Sequence, residues 1–262
     1  MRRRLGRPRA VLFDWDSTLV DNWGAIRDAL NAALVAMGHK PWTHDETRRR
    51  VRESLRDSFP TMFGERWPEA RRVFYRAFEE GHLASLQPLP GAEPLLAALS
   101  EAGVYLGVVS NKRGDLLRRE ASHLGWSGLF GRLVGAGDAE ADKPAAAPVA
   151  LALAPSGIAG GREVWMVGDA AIDVECARNA GCLALVVGDP ARQTAEFRGW
   201  PPDWRGRDLD QLAALARDVA RTQIKEGERR VPGARTLYNG RPRGASRSAT
   251  RAGRKRRTRG HP

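Results

Sequence analysis

The sequence predicts an α/β fold, in which helices cover both faces of a parallel β-sheet and an α-helical cap is inserted after the first strand. Two observations support this prediction. From residue 87 onward, short apolar runs alternate with segments of helical periodicity, which is typical of a parallel sheet. Residues 21–86, which follow the first apolar run, show helical periodicity alone. We therefore expect the α/β core to comprise residues 10–20 and 87–222, and the cap to comprise residues 21–86.

The first element is a buried strand over residues 10–13, a continuous apolar run without a helical period. A helix is predicted over 23–37, where apolar residues recur at helical spacing. Thr43 and Glu46 have the spacing of a capping box, which predicts that a second helix begins there. A third helix is predicted over 68–81. The absence of a strand pattern in this block indicates an insert above the carboxyl edge of the sheet.

The remaining elements alternate between strand and helix patterns. The predicted strands are 104–109, 133–136, 164–167 and 183–187. The predicted helices are 93–102, 115–124, 145–154, 172–180 and 209–219. Between the last strand and the last helix, the segment 197–206 is rich in Trp, Pro and Gly, and we expect Phe197, Trp200 and Trp204 to fold it back onto the body.

The net charge of +12 is concentrated at the two ends of the chain. Residues 1–9 hold five Arg and no acid, and residues 225–262 hold thirteen Lys or Arg against two Glu, so the segment between them is mildly acidic. We predict a flexible basic arm over 1–9 and a disordered, Arg-rich tail over 223–262, because neither end has the apolar residues of a core. Such a tail can bind nucleic acid or an acidic surface without sequence specificity, or act only as a solubilising appendage.

The two cysteines, Cys176 and Cys182, lie six residues apart, a spacing of neither a disulfide framework nor a zinc site. We expect them to be small buried residues in a reducing compartment. No apolar run approaches the length of a membrane span, and the run after the basic arm is too short for a signal peptide. The sequence therefore predicts a cytoplasmic protein without a membrane span.

Asp14 and Asp16 directly follow the first strand, at the sheet edge where open α/β folds place their ligands. Residues i and i+2 of an extended backbone point to the same side, so the two carboxylates can converge. Because like charges repel, such a pair favours a bound cation or protonation of one acid, and Mg²⁺ prefers oxygen ligands of this kind. For this stretch alone, a strand that ends in a solvated turn is the other interpretation.

Three further polar clusters follow predicted strands. Ser110 and Asn111 offer a hydroxyl and an amide that can hold a phosphate oxygen, and Lys143 can neutralise a phosphoryl group. Asp169 can reach the same cation as the first acids, and Asp173, one turn into the next helix, can orient the lysine or a metal-bound water. Each cluster alone also has an ordinary structural explanation, as a turn, a helix cap or a solvated surface residue.

Taken together and in this order, the clusters resemble the motifs of the haloacid dehalogenase-like hydrolase superfamily. The matching stretches are DWDSTLVD at 14–21, SN at 110–111, KP at 143–144 and GDAAIDVECARNAG at 168–181. The resemblance covers about residues 10–220 and is greatest to the phosphoglycolate phosphatase-like branch. It implies a Rossmann-like sheet with an inserted helical cap, and a Mg²⁺-dependent phosphatase acting on a small, phosphoglycolate-like phosphorylated metabolite.

The resemblance also implies a role for each motif residue. Asp14 would be the nucleophile that forms an aspartyl-phosphate, and Asp16 the general acid and then the general base. Mg²⁺ would be held by Asp14, by the backbone carbonyl of Asp16 and by Asp169. The transferring phosphoryl group would be held by Ser110, Asn111 and Lys143. An acid at position 16 favours phosphate-ester chemistry over carbon–halogen cleavage.

Three positions depart from the family pattern. Ser17 stands where the family usually has Gly, and should be tolerated if the loop does not require a positive φ there. Trp15 replaces the usual Phe or Leu, and Ala170 replaces a frequent Thr or Ser. None of these changes removes a catalytic group.

Other functions remain open at this stage. A sugar-phosphate mutase of the same superfamily uses the same acid pair, and a nucleic-acid-associated protein would act through the basic tail. Specificity is expected to lie in the cap, which carries the fewest motifs. The candidate cap contacts are Asn22, Arg48, Arg52 and Arg56.

Overall fold

The computed structural model describes residues 5–51, 55–188 and 197–230, with side chains described as far as residue 222. Its strands, in chain order, are β1 (Ala10–Phe13), β2 (Val20–Asp21), β3 (Gln87–Pro88), β4 (Tyr105–Arg113), β5 (Arg132–Ala136), β6 (Val164–Gly168), β7 (Leu183–Val187) and β8 (Trp204–Gly206). Six of them form one parallel sheet in the order β5-β4-β1-β6-β7-β8. The predicted α/β class and parallel sheet are confirmed.

The α-helices are α1 (Trp23–Ala36), α2 (His44–Arg50), α3 (Leu55–Phe63), α4 (Trp67–Ser85), α5 (Ala92–Glu101), α6 (Gly114–His123), α7 (Ala147–Leu153), α8 (Ala171–Asn179) and α9 (Leu209–Arg230). Helix α2 begins at the predicted capping box, in which the Thr43 hydroxyl accepts from the Glu46 backbone N–H and the Glu46 carboxylate accepts from the Thr43 N–H. Most other predicted bounds agree to within a few residues.

Both faces of the sheet are buried, which explains why its strands are continuous apolar runs. Successive side chains of β1 alternate between the faces. Val11 and Phe13 pack with residues of α5, α6 and α9, whereas Ala10 and Leu12 pack with residues of α7 and α8. The sheet therefore lies between two hydrophobic layers, and its carboxyl edge is left to polar residues.

Helices α1 to α4 lie between β1 and β4 in the chain and have a hydrophobic cluster of their own, to which Leu116 of α6 also belongs. Our predictions did not include α3, which contains Pro60, or the two short strands at the ends of the block. Strands β2 and β3 pair antiparallel, with Val20 opposite Pro88 and Asp21 opposite Gln87. Two residues per strand are too few for a period-2 pattern.

The chain ends differ from their predicted form. Residues 5–9 were expected in a flexible arm, yet Leu5 packs against the core and the Arg7 guanidinium donates to the Ala102 carbonyl at 2.7 Å. Helix α9 extends to Arg230, beyond the predicted end at residue 219, because residues 220–230 consist mainly of good helix formers. The remaining tail, residues 231–262, lies outside the described residues, as do residues 1–4.

The aromatic segment before α9 folds back in part. Phe197 is 2% exposed, and Trp204 belongs to β8, which pairs with β7. Trp200 was expected to pack as well, but it is 36% exposed. Among the described residues, no helix combines the length and the apolar character needed to cross a membrane.

Candidate active site

The residues of the four sequence motifs meet at the carboxyl edge of the sheet. Asp14 follows β1, and its backbone N–H donates to the Val167 carbonyl of β6 at 2.8 Å. Ser110 and Asn111 lie within β4, where the pairing with β5 shifts register between Val109 and Arg113. The polar residues at this irregular end of β4 line the same cavity as Asp14.

Asp14 belongs to a buried cluster of two carboxylates with one lysine between them. The Lys143 ammonium donates to Asp14 Oδ1 at 2.5 Å and to Asp173 Oδ1 at 2.8 Å, and all three side chains are nearly buried. Burial raises the pKa of Asp14 to about 7, an effect that Lys143 opposes and Asp173 reinforces. Burial lowers the pKa of Lys143, but Asp14 and Asp173 outweigh it and keep this lysine protonated.

A second cluster of the same form holds Asp16. The Lys112 ammonium donates to Asp16 Oδ1 at 2.8 Å and to Glu120 Oε2 at 2.6 Å. Burial raises the pKa of Asp16, and Lys112 opposes this shift. Although burial lowers the pKa of Lys112, the two carboxylates raise it above the usual value. Asp16 is thus the more accessible acid, with 18% of its side chain exposed against 9% for Asp14.

Glu120 joins this cluster to the helical cap. Its carboxylate is fully buried and accepts hydrogen bonds from Trp15 Nε1 at 2.7 Å and from Asn22 Nδ2 at 2.8 Å. His82 of α4 places Nδ1 at 2.8 Å from Glu120 Oε1. Although burial opposes it, hydrogen bonding from His82 and the charge of Lys112 lower the pKa of Glu120. One buried carboxylate therefore contacts the loop after β1, the ammonium beside Asp16 and the cap.

Neither Lys112 nor Glu120 was among the predicted site residues. Lys112 directly follows the predicted Ser110–Asn111 pair, so its position in the sequence was available as a signal. Glu120 lies three and four residues after Leu117 and Leu116, on the apolar face of α6. A charged residue at such a position is rarely buried without a partner, which is the signal that could have identified it.

The predicted phosphoryl-binding residues line the cavity but differ in their contacts. Asn111 uses both ends of its amide on Lys143: Oδ1 accepts from the Lys143 backbone N–H at 3.0 Å and Nδ2 donates to the Lys143 carbonyl at 3.2 Å. The Ser110 hydroxyl accepts from the Lys112 N–H at 3.2 Å. Asn111 thus holds the Lys143 loop in place, whereas Ser110 and Lys143 direct polar atoms to the cavity.

Three carboxylates are close enough to share one cation. Oxygens of Asp14, Asp169 and Asp173 lie within 4.8 Å of one another. Asp169 follows β6, and Asp173 lies in the first turn of α8, where its Oδ2 accepts from the Ala170 N–H at 3.1 Å. This contact stabilises the start of α8 in place of the Ser or Thr cap that Ala170 lacks.

The loop after Asp14 requires the conformation in which glycine is favoured. Ser17 has φ of 66°, a positive value, so the loop does require the conformation in which Ser is strained. The Trp23 indole N–H donates to the Ser17 hydroxyl, a contact that glycine could not make. Trp15 is fully buried and packs edge-on against Trp126 at a centroid separation of 5.8 Å.

None of the three described candidate cap contacts lines the cavity. Asn22 is 1% exposed and bonds to Glu120 and Ser85, and the Arg56 guanidinium lies 3.1 Å from the Asp142 carboxylate. Arg48 does not line the cavity and lies over the Trp23 ring. Arg52 lies outside the described residues.

Comparisons with known proteins agree with this arrangement. The family model described as "Haloacid dehalogenase-like hydrolase" matches residues 11–187. A phosphoglycolate phosphatase of Photorhabdus laumondii is 29% identical over 182 residues, which are 66% of this chain and 77% of that protein. A phosphoglycolate phosphatase of Chromobacterium violaceum is 31% identical over 190 residues, which are 69% of this chain and 85% of that protein.

A solved structure has the same fold. The crystal structure of a predicted phosphoglycolate phosphatase from Haemophilus somnus superimposes with a TM-score of 0.70 over 81% of this chain and 99% of that one, at 19% identity. The architecture and the motif geometry define a hydrolase of the α/β class with a helical cap. The chain belongs to the haloacid dehalogenase-like hydrolase family, in its phosphoglycolate phosphatase-like branch, and is a phosphoric monoester hydrolase of that type.

Proposed function

We propose that this hydrolase is Mg²⁺-dependent and cleaves a small phosphorylated metabolite through an aspartyl-phosphate on Asp14. The observation that carries the proposal is the convergence of Asp14, Asp169 and Asp173 within 4.8 Å, with the Lys143 ammonium between two of them. Phosphoryl transfer depends mainly on positioning and charge neutralisation. At this edge of the sheet, the three carboxylates and the Lys143 ammonium are the groups that would supply both. The phosphatase names of the relatives support the same chemistry.

The residues present suit a hard divalent cation. The candidate ligands are all oxygen atoms, the donors that Mg²⁺ prefers. The pKa of about 7 for Asp14 also fits a cation at this position, because a nearby positive charge favours the ionised nucleophile. Asp14, Asp169 and the backbone carbonyl of Asp16 would hold the ion. When bound, it supplies Lewis-acid polarisation of the phosphoryl oxygens.

Asp14 and Asp16 each act in both chemical steps. In the first, a carboxylate oxygen of Asp14 attacks phosphorus while the bond to the ester oxygen breaks, and Asp16 gives its proton to the leaving alcohol. In the second, Asp16 takes a proton from water, whose oxygen attacks phosphorus and releases inorganic phosphate from Asp14. Lys143 holds the nucleophile, Lys112 holds the acid, and Ser110 offers a hydroxyl to the phosphoryl oxygens.

The alternatives have less support. A sugar-phosphate mutase would use the same acids, but the relatives reported above carry phosphatase names. Nothing in the comparisons supports a nucleic-acid partner, and the basic residues 231–262 lie outside the described residues. We place the activity in the cytoplasm, as the sequence predicts.

Phosphate release by the full-length chain tests the proposal. A panel of phosphorylated metabolites, including 2-phosphoglycolate, is assayed with Mg²⁺ or EDTA for the wild type and for Asp14→Asn. Asp28→Asn is the matched control, because Asp28 is exposed on α1 and does not line the cavity. We expect release that requires Mg²⁺, survives in the control and falls by about a thousandfold or more in Asp14→Asn. Release that persists in Asp14→Asn would refute the assignment of the nucleophile.

A further inference from the structure

Ser17 has a backbone conformation that glycine would adopt at lower cost. Among the described residues, it is the only one other than glycine with a positive φ. It directly follows Asp16, and its backbone N–H donates to the Val20 carbonyl at 2.8 Å. Strained residues of this kind are concentrated at functional sites, where the strain is retained because the side chain has a use. The contact made by the Ser17 hydroxyl therefore indicates what that use is.

The Ser17 hydroxyl accepts a hydrogen bond from the indole N–H of Trp23, the first residue of α1. An indole N–H can donate but cannot accept, and a buried donor needs an acceptor within the protein. Trp23 is 9% exposed, so its N–H meets this condition. A glycine at position 17 would remove the acceptor. The hydrogen bond thus joins the loop after β1 to the first helix of the cap.

Trp23 lines the same cavity as Asp14 and Asp16. Ser17 does not line it, so any effect of this serine on a substrate is transmitted through the indole. Arg48 of α2 lies over the Trp23 ring, with the guanidinium carbon 5.4 Å from the ring centre. The ring is therefore held at its edge by the loop and over one face by the cap. Because a tryptophan side chain turns about only two bonds, these two contacts restrict which part of the ring faces the cavity.

The proposed reaction directs the alcohol part of the substrate toward the cap. The attacking and leaving oxygens lie roughly in line in phosphoryl transfer, so the alcohol departs on the side of phosphorus opposite Asp14. Asp14 lies at the sheet edge, and the opposite side of the cavity is lined by cap residues. Trp23 has the largest side chain among the described cap residues of this lining. A change in the orientation of its ring would alter the space beside the leaving group.

We propose that Ser17 is a positioning residue, which holds the Trp23 indole as the part of the cavity wall that limits the size of the leaving alcohol. The proposal rests on the phosphatase function proposed above and adds a residue pair that determines specificity. It concerns the bulk of the alcohol and not its charge. Loss of the hydroxyl should free the ring to turn, so that larger alcohols are accepted more readily relative to small ones.

The first test compares kcat/KM for ethyl phosphate and benzyl phosphate, with the full-length protein in Mg²⁺. Both are esters of uncharged primary alcohols that need a proton to leave, so a change in their ratio between variants reports bulk. We expect Trp23→Ala to raise the benzyl-to-ethyl ratio by about tenfold or more. Trp200→Ala is the matched control, because Trp200 is 36% exposed and does not line the cavity. An unchanged ratio in Trp23→Ala overturns the proposal, whereas Asp14-dependent hydrolysis would leave the phosphatase function standing.

Two substitutions of Ser17 separate positioning from stability. Ser17→Gly and Ser17→Ala both remove the hydroxyl, but only glycine relieves the backbone strain. We expect both to raise the benzyl-to-ethyl ratio by the same factor, about threefold, although Ser17→Ala unfolds at a lower urea concentration than Ser17→Gly. A ratio that changes in Ser17→Ala alone would follow the strain and overturn the positioning role. So would a ratio that stays at the wild-type value in both.

Trp23→Phe keeps an aromatic ring but has no N–H, and it replaces Trp23→Ala if that variant does not fold. Adding Ser17→Gly to Trp23→Phe should not change the ratio further, because both substitutions break the same hydrogen bond. Independent, additive changes in the ratio would contradict the pairing.

Binding without turnover gives a further measurement. Isothermal titration in Mg²⁺, with each variant combined with Asp14→Asn, compares the dissociation constants of the two esters. The same shift toward benzyl phosphate supports the proposal even if turnover is slow, and no measurable binding of either ester before or after Trp23→Ala overturns it. Absence of Mg²⁺-dependent hydrolysis of any monoester would instead refute the phosphatase function on which the proposal rests.

Discussion

Glu120→Gln is the substitution that most directly tests whether the cap and the loop after β1 share one buried carboxylate. Glu120 Oε2 accepts from Trp15 and Lys112, and Oε1 lies within hydrogen-bond distance of Asn22 and His82. Glutamine has almost the same shape, but one of its two ends is an NH₂ group that cannot accept. If that end replaces Oε2, Trp15 and Lys112 lose their acceptor. If it replaces Oε1, Asn22 loses its acceptor, whereas His82 Nδ1 can accept from the amide in its other tautomer.

The expected loss of stability follows from these contacts. An unsatisfied buried donor costs about 1–3 kcal/mol, and at least one is created whichever way the amide turns. Lys112 also loses one of its two carboxylate partners, and breaking a buried ion pair typically costs about 3–5 kcal/mol. The two effects overlap at Lys112 and are not additive, so we expect the free energy of unfolding to fall by about 3–5 kcal/mol.

Urea unfolding of the full-length protein, analysed by linear extrapolation, measures this change. The matched control is Glu163→Gln, because Glu163 has an exposed ion pair with Arg9 at 3.4 Å and a side chain that is 66% exposed. Its loss should change stability by less than about 1 kcal/mol. If Glu120→Gln destabilised the protein no more than Glu163→Gln, the carboxylate would not be the shared acceptor described here.

Two further predictions concern glycines and thiols. Gly91→Ala should lower the free energy of unfolding by about 2 kcal/mol, because φ is +83° and the added Cβ would lie 2.9 Å from Asp210 Oδ1. Gly81→Ala, in the exposed interior of α4 with no atom within 4 Å of the new Cβ, should raise it by about 0.5–1 kcal/mol, and the same urea experiment compares the two. Burial raises the pKa of Cys176 to about 12 and also raises that of Cys182, so neither thiol should react rapidly with a disulfide reagent at pH 8 until the protein is unfolded. Rapid labelling of the folded protein would contradict the buried positions.

Local patterns were sufficient for most of the fold. The apolar run of β1 and the capping box before α2 depend on residues close in sequence, so their signals are visible without the rest of the chain. Strands β2 and β3 depend instead on a pairing between residues about 66 positions apart, such as Asp21 with Gln87. Helix α9 continues beyond its apolar stripe, where the sequence holds good helix formers but hydrophobic periodicity gives no signal.

The site shows the same division between local and distant information. Asp14 directly follows β1 and Asp169 directly follows β6, a local pattern that predicts their position at the sheet edge. Lys112 and Glu120 instead make their contacts across 96 and 105 residues. At Ser17 even a local property could not be predicted from the sequence. Its residue type leaves φ undetermined, and the observed value of 66° costs a non-glycine residue about 1–2 kcal/mol in the left-handed region. The hydrogen bond from Trp23 offsets part of that cost.

The two carboxylate–lysine–carboxylate clusters explain why Asp14 and Asp16 occupy different environments although they are two residues apart. The cluster of Asp14 is completed by Lys143 and Asp173, both from the α/β core. The cluster of Asp16 is completed by Lys112 and Glu120, and Glu120 also contacts His82 of the cap. A displacement of α4 would therefore disturb the partners of Asp16 before those of Asp14. The proposed proton transfer at Asp16 would in this way depend on the position of α4, through the contact between His82 and Glu120.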